Sequence, residues 1–565
     1  MRPLDWLVLC GTLAGIVLYG LYKGRGSDTV KEYLLAGKTM PWYAMALSIM
    51  ATQASAVTFI STTGQAYVDG MRFVQFYFGL PIAMVILSAT AVPLFHRANV
   101  YTAYEYLEKR FDSKTRALAS IVFLIQRGFS VGISLYAPAL VLAVILGWPD
   151  RITTLVMGVL VTIYTVTGGI KAVTWTDVQQ MLIIFFGLLV GFVMIIRLLP
   201  PGISFVDAVY LAGAVGKLNA VDLKLDLNNR YNVWSGLIGG AFLALSYFGC
   251  DQSQVQRYLT GKSIAQSKLS LLFTAMAKIP MQFFILFVGA MVFVFYLFER
   301  PPLLFQGPAM AALESPQAGP QYGPIESRFE DAFDRRKQAA LGLAEARRMH
   351  DAAKRAVSLD HYRAAQQDIN SARTAGAGLV DRLRGEKAFN DTNYIFLSFV
   401  TRYLPAGVVG LLIAVIFAAA MSSSSGEVNS LATVSVIDIY KRHMRPRASD
   451  HHYLWVSRLA TVFWAGFAVF FAQYAKNIGS LIEAVNLLGS LFYGSLLGVF
   501  VLAFWFRRVT GTGAFIGMIA GETAIFLSFW LTGISFLWYN VIGCLVVVVT
   551  GVVVSALVAE RRRAA

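Results

Sequence analysis

The chain has 565 residues, of which 57% are hydrophobic and only 14% charged, and its formal net charge is +16. A soluble chain of this size is about one-quarter charged, so a string of soluble domains is set aside in favour of one membrane domain. The positive charge gathers in short loops between apolar runs, with no continuous basic face and no nucleic-acid motif, which argues against a nucleic-acid partner.

In chain order, apolar runs long enough to cross a hydrocarbon core of roughly 30 Å recur from end to end. Thirteen spans are predicted, near 4–22, 42–67, 74–96, 117–146, 151–168, 177–198, 233–257, 267–298, 403–438, 453–474, 478–505, 512–533 and 537–559. The first lacks an A-x-A cleavage site and is read as a retained span. Cys10, Cys250 and Cys544 lie in or beside apolar runs and suggest no disulfide framework. Lys and Arg concentrate in the loops after the odd-numbered spans and in the tail Arg561–Arg563. The predicted topology therefore has the N-terminus outside and the C-terminus in the cytoplasm, in the plasma (cytoplasmic) membrane amid lipid.

Residues 301–390 depart from this composition. Pro and Gly at 307–324 read as a linker, and Glu326 to Ala353 and Leu359 to Leu383 as two charged, Ala-rich helices outside the membrane. The insert is either a solvated helical hairpin or a docking surface for a partner protein.

Polar residues within spans are costly in lipid and are functional candidates by default. The second span carries Thr52, Gln53, Ser55 and Thr58. Such a patch is either a helix unwound to turn carbonyls toward an ion, or packing hydroxyls bonded to their own i−4 carbonyls. The ninth span carries Met421-Ser-Ser-Ser-Ser-Gly426, and Ser422, Ser425, Asn429 and Thr433 share one helical face. Hydroxyls and carbonyls suit a hard monovalent cation that must also leave. A small-residue packing interface is the alternative. Asp177 near the start of the sixth span is a further cation ligand or an interfacial charge. Arg127 and Lys278 are the deepest positive charges, placed to hold solute carboxylates or hydroxyls. Glu427 has no evident partner. All six His residues lie in loops, the insert or span edges. There is no P-loop and no nucleophile–base pair, so neither ATP drive nor an enzyme is expected, and no organic cofactor is implied.

Five segments together give a resemblance. They are Ala51–Ile60, Thr167-Gly-Gly-Ile-Lys-Ala-Val-Thr-Trp-Thr-Asp177, Asp251-Gln-Ser-Gln-Val-Gln-Arg257, Lys278-Ile-Pro280, and Met421-Ser-Ser423 leading to Asn429-Ser430 and Ile437-Asp-Ile-Tyr440. In order and on matching spans, they resemble the sodium:solute symporter family. The resemblance implies an all-α membrane protein with a leucine-transporter-like core of two inverted five-helix repeats, each opening with a broken helix. Here that places an extra span at 1–22, the first repeat at 42–198, the second at 233–300 and 391–505, the external insert at 301–390, and added spans with a basic tail at 512–565.

The resemblance further implies a principal sodium site at the Ala51, Ala54 and Ala419 carbonyls and the Ser422 and Ser423 hydroxyls. A second sodium site would fall on Asp177, Ser422 and Ser425, but its remaining hydroxyl position is Gly426 here. Thr176 or Ser424 would have to compensate. Solute contacts would fall on Gln53, Ser55, Thr58, Tyr77, Arg127 and Lys278, with Tyr247 as an inner gate; Ala244 and Tyr77 depart from the sugar-carrier pattern. The expected activity is sodium-coupled symport of a small polar organic solute by alternating access. Arg127 points to a carboxylate-bearing solute; a sugar or polyol is the alternative, and a solute-sensing receptor on the same fold is the reading from a different class.

Overall fold

The computed structural model describes residues 1–564 apart from 317, 386–388 and 475–480, and the side chains of 144–146, 150 and 561–564 also fall outside the description. Over the described residues every predicted apolar run is helical; the start of the eleventh, at 478, lies outside them. Ten helical stretches among the described residues are long and apolar enough to cross a membrane. The count differs from thirteen because some runs merge and others break. The fifth and sixth runs merge into Asp150–Arg197, whose 48 residues would extend about 72 Å if straight. That is far more than one bilayer needs. Gly169 interrupts it with φ 55° and ψ −151°. A Cβ on Gly169 would also collide with the Tyr33 carbonyl oxygen, so only glycine fits.

Two other spans break, and the second half of the second runs on with the third as one stretch, Thr58–Ala98. The second runs as Trp42–Gln53, leaves helical geometry at Ala54 (φ −86°, ψ 62°), and resumes through wide π turns at Thr58–Thr62 into Thr63–Asp69. The seventh runs as Ser235–Gly239 and Gly240–Gly249, stops at Cys250, and restarts as Gln252–Leu259. Asp251 caps the restart by accepting from the Ser253 N–H at 2.8 Å.

The ninth span, Val408–Val434, is the axis of the bundle. Nearly all of its side chains are buried, and it packs on the first, second, fourth, merged fifth–sixth and tenth spans. A helix apolar all round belongs in a core, and this one places its serines there too. Its N-terminus is held by the first span. The N–H groups of Gly407 and Gly410 donate to Asp5 at 2.6 and 3.1 Å, and Asp5 is buried. A carboxylate there satisfies orphan donors and faces the positive end of the helix dipole.

The insert corrects one expectation. The segment read as a linker holds a short helix, Gly307–Leu313, and the first turns of a long one, Gly319–Met349. Pro308 and Pro320 sit in first turns, where a missing N–H costs nothing. The first long helix stops at Met349, not Ala353, because His350 takes the left-handed conformation and Asp351 caps the next helix, Ala352–Arg384. The hairpin is not merely solvated: Leu303, Leu313, Phe329, Ile369 and Leu379 form a core of their own. Arg336 reaches the Tyr296 carbonyl at 2.8 Å, and Arg347 pairs with Asp207 at 2.6 Å, so the hairpin is fastened to the eighth span and to the loop before the seventh.

Replacing Asp5 with Ala strands two N–H groups, one buried and one half-buried. Stability is expected to fall by about 1–3 kcal/mol, read as a lowered thermal unfolding temperature in detergent. Asp5→Asn, which keeps an acceptor, is expected to lose less.

Candidate functional site

Where the second span breaks, its polar residues face inward rather than into lipid. Thr52, Gln53, Ser55 and Thr58 line a cavity. Phe76 and Tyr77 of the third span, Arg127 and Ser134 of the fourth, Tyr247 of the seventh, Ser423 and Glu427 of the ninth and Asn486 and Tyr493 of the eleventh complete it. The break is what the unwound-helix reading of the sequence expects, and it forms without Gly or Pro. Thr52 nonetheless follows the packing alternative, donating to its own i−4 carbonyl, Ser48, at 2.9 Å.

The break frees backbone oxygens. Among the described residues no backbone N–H donates to the carbonyl of Ala51 or Ala54, and both residues are fully buried. Buried carbonyls are nearly always bonded, so two open ones close together in sequence mark a place for another electrophile. On the packed ninth span the Ser423 hydroxyl lies 3.2 Å from the Ala419 carbonyl. Ser422 donates to Asp177 Oδ1 at 2.6 Å, which leaves its oxygen lone pairs free to accept. This oxygen set fits a sodium ion: it is hard, dry and without a formal charge of its own.

Asp177 is not an interfacial charge. It is fully buried and also accepts from Ser48 at 2.5 Å. Arg257, on the restarted half of the seventh span, lies 3.5 Å from it and donates through Nε to Ser48 at 3.0 Å. Thr176, one of the two compensating hydroxyls, turns away: it donates to the Ala172 and Val173 carbonyls, and its methyl packs at Gly20. Ser424 is buried with its hydroxyl unpartnered. Lower on the same face, Asn429 and Thr433 both accept from Gln256, at 3.0 and 3.1 Å, so a glutamine amide, not an ion, sits there.

Glu427, which had no partner in sequence, meets Arg127 at 2.9 Å. The other arm of Arg127 contacts Asp251 and donates to Tyr493 at 2.6 Å, while Tyr493 donates to Asp251 at 3.0 Å. One guanidinium thus serves two buried carboxylates. Tyr247 stands with its ring centroid 5.5 Å from that guanidinium and accepts from Gln254 at 2.8 Å. Of the residues assigned to solute, Gln53, Ser55, Thr58, Tyr77 and Arg127 line the cavity, as does Tyr247. Lys278 does not; its buried ammonium sits 5.8 Å from the Tyr77 ring centroid, without a hydrogen-bond partner.

Sequence reading gave no site role to Asp251, Ser48 or Tyr493 and counted Arg257 among the loop charges, whereas Arg257 is fully buried within Gln252–Leu259. Asp251 and Arg257 carried a signal, being ionisable residues within a predicted span. Ser48 and Tyr493 carried none.

Broken helices around a central polar cavity define a helical membrane transporter. The model of the sodium:solute symporter family matches residues 33–313 and 375–521, leaving out most of the insert, and the chain belongs to that family. It is 28% identical to the sodium/glucose cotransporter of Vibrio parahaemolyticus over 93% of this chain and 85% of that protein. It is 27% identical to the sodium/sialic acid symporter of Proteus mirabilis over 99% and 96%. It is 28% identical to human sodium-coupled monocarboxylate transporter 1 over 92% and 72%. Its fold matches a substrate-bound, outward-open Na+-coupled sialic acid symporter with a TM-score of 0.75 and 25% identity, over 98% of each chain. The protein is a multi-pass, sodium-coupled solute symporter with a leucine-transporter-like all-helical core, not an enzyme.

Arg127→Gln leaves two carboxylates facing each other in the core and is expected to cost about 3–5 kcal/mol. Glu427→Gln leaves the Arg127–Asp251 pair whole and should cost markedly less. Thermal unfolding of the two purified variants checks the order.

Proposed function

We propose that one sodium ion binds between the Ala51, Ala54 and Ala419 carbonyls and the Ser422 and Ser423 hydroxyls, bridging the broken second span to the ninth. The single observation behind this is the pair of open, buried carbonyls at Ala51 and Ala54 beside the serine run. Sodium there fixes the break, and with it Gln53, Ser55 and Thr58, which line the adjoining solute cavity. Solute then binds, Tyr247 covers it from the inner side, and the two repeats, 42–198 and 233–300 with 391–505, rock to release both. The spans after 511 and the first span lie outside this moving core. The short loops rich in Lys and Arg support a plasma membrane orientation with the N-terminus outside and the C-terminus in the cytoplasm. The insert then faces outward.

The solute class follows from hydrogen-bonding needs. Arg127 is already matched by Glu427 and Asp251, so a carboxylate-bearing solute would have to displace Glu427 and would meet excess negative charge. Of the cavity-lining groups, Arg127 Nε is a buried donor without a partner, and two acceptors, Gln53 Oε1 and Glu427 Oε2, are likewise buried without partners. They call for a solute that both donates and accepts. An uncharged sugar or polyol fits without rearrangement, so the expectation of a carboxylate drawn from Arg127 with Ser55 and Thr58 gives way to its alternative. The relatives span both classes, glucose on one side and monocarboxylates and sialic acid on the other.

A ligand that binds the native state raises its stability. A thermal-shift screen of hexoses, polyols, monocarboxylates and sialic acids, in sodium and in choline, is expected to yield sodium-dependent stabilisation by a member of the first two groups. Stabilisation confined to the carboxylates sinks the solute reading. With the solute in hand, Ser423→Ala should weaken sodium in proteoliposome uptake about tenfold or more; unchanged sodium affinity sinks the ion site. Saturable binding without accumulation would point instead to a receptor.

A further inference from the structure

The residues that would form a second sodium site do not fit a second ion. Asp177, Ser422 and Ser425 are present and fully buried, but the remaining position is Gly426. A Cβ on Gly426 would collide with the terminal nitrogen of Arg257. The glycine is therefore the place where the guanidinium lies. Around it, Arg257 donates to the Ser253 carbonyl and to Ser48 at 3.0 Å, and it faces Asp177 at 3.5 Å. Ser425, the other hydroxyl of the set, donates to the Ser422 carbonyl at 3.1 Å instead of facing the carboxylate. A positive group covalently tied to the seventh span thus occupies the space beside the carboxylate.

We propose that Arg257 is a tethered cation standing in the second ion position, so that the protein binds one sodium per chain rather than two. The proposal rests on sodium binding at the first site. It gives Gly426 a specific role, because any side chain there would expel the guanidinium. It also makes Arg257 a positioning residue for the first site, because Arg257 and Ser48 hold Asp177, and Asp177 accepts the hydroxyl proton of Ser422, whose oxygen then accepts the ion.

The consequence is thermodynamic. One ion moving down ~100 mV and a tenfold gradient supplies about 3.7 kcal/mol. That supports several-hundredfold accumulation of an uncharged solute, and a second ion would square the limit.

The test needs no solute. Saturation binding of ²²Na to the purified full chain is expected to give one site per chain, lost in Ser423→Ala. Two sites in the wild type overturn the proposal. No sodium binding at all defeats the first-site reading instead, which keeps the two failures distinct. Gly426→Ser alone should lower the unfolding temperature by crowding Arg257, and the double variant Gly426→Ser/Arg257→Gln should recover it and bind two ²²Na per chain. Arg257→Lys, which keeps a cation, should remain at one. A Gly426→Ser variant as stable as wild type, or a folded double variant with a single site, overturns the proposal. Should the double variant not fold, a Gly426→Ser chain that is folded and retains its unfolding temperature does so alone.

Discussion

The constraint on which the rest depends is that a charge placed in the dry interior is costly unless it meets its opposite, a match that Lys278 lacks. Three arginines have it. Arg127 joins the fourth span to Asp251 of the seventh and Glu427 of the ninth; Arg257 joins the seventh to Asp177 of the sixth; Arg116 joins the fourth to Asp438 at the end of the ninth, at 2.6 Å. An ion pair replaced by apolar packing is often no less stable, so these pairs are weak evidence for stability as such. Their value is specificity. Each pair holds if, and only if, particular helices keep their register, because a slipped helix leaves a bare charge in a low dielectric. The four pairs touch the fourth, sixth, seventh and ninth spans, and the cavity lies among them.

Within that frame the chain tolerates irregular backbone at membrane depth. A break costs hydrogen bonds, and in lipid the cost is prohibitive. At Ala54–Ser55 it is offset because the freed carbonyls face protein and cavity, not acyl chains. At Cys250–Asp251 the Asp251 carboxylate caps the new helix while its other oxygen meets Arg127 and Tyr493. One residue thus ends a helix, starts another and neutralises a charge. The break in the seventh span and the charge network are therefore a single feature, and neither is stable without the other.

How much of this was legible in the sequence varies by residue. Hydropathy is read locally, so the long apolar runs were found, as was the polar patch at 51–58, while the short apolar helix Phe205–Ala214 was missed. The Gly169 break was visible only as a gap between two runs, since the Tyr33 carbonyl that leaves no room for a Cβ there is a contact of long range. The serines proposed as ion ligands were legible because hydroxyl runs are conspicuous in an apolar helix. The partners of the buried charges were not. Arg127 and Glu427 are 300 positions apart, and nothing in either neighbourhood names the other. That is why Arg127 read as a free cation awaiting a carboxylate, when two were already in place. In the insert, proline misled: in a first turn it is helix-compatible, and composition cannot tell a first turn from a linker.

The same charge matching bears on how the proposed ion site can cycle. A site built from carbonyls and hydroxyls binds sodium with moderate strength, which transport requires. An unmatched Asp177 one side chain away would change that. A unit charge about 4 Å from an ion contributes about 4 kcal/mol at an effective dielectric near 20, close to three decades of affinity. Bound that tightly, an ion would not leave on the inner side at useful rates. With Arg257 beside it, Asp177 presents mainly a dipole, and its remaining effect passes through the Ser422 hydroxyl, which it orients. The guanidinium thereby separates two effects that one carboxylate would otherwise combine, arranging the oxygen that binds the ion and attracting the ion too strongly to let it go.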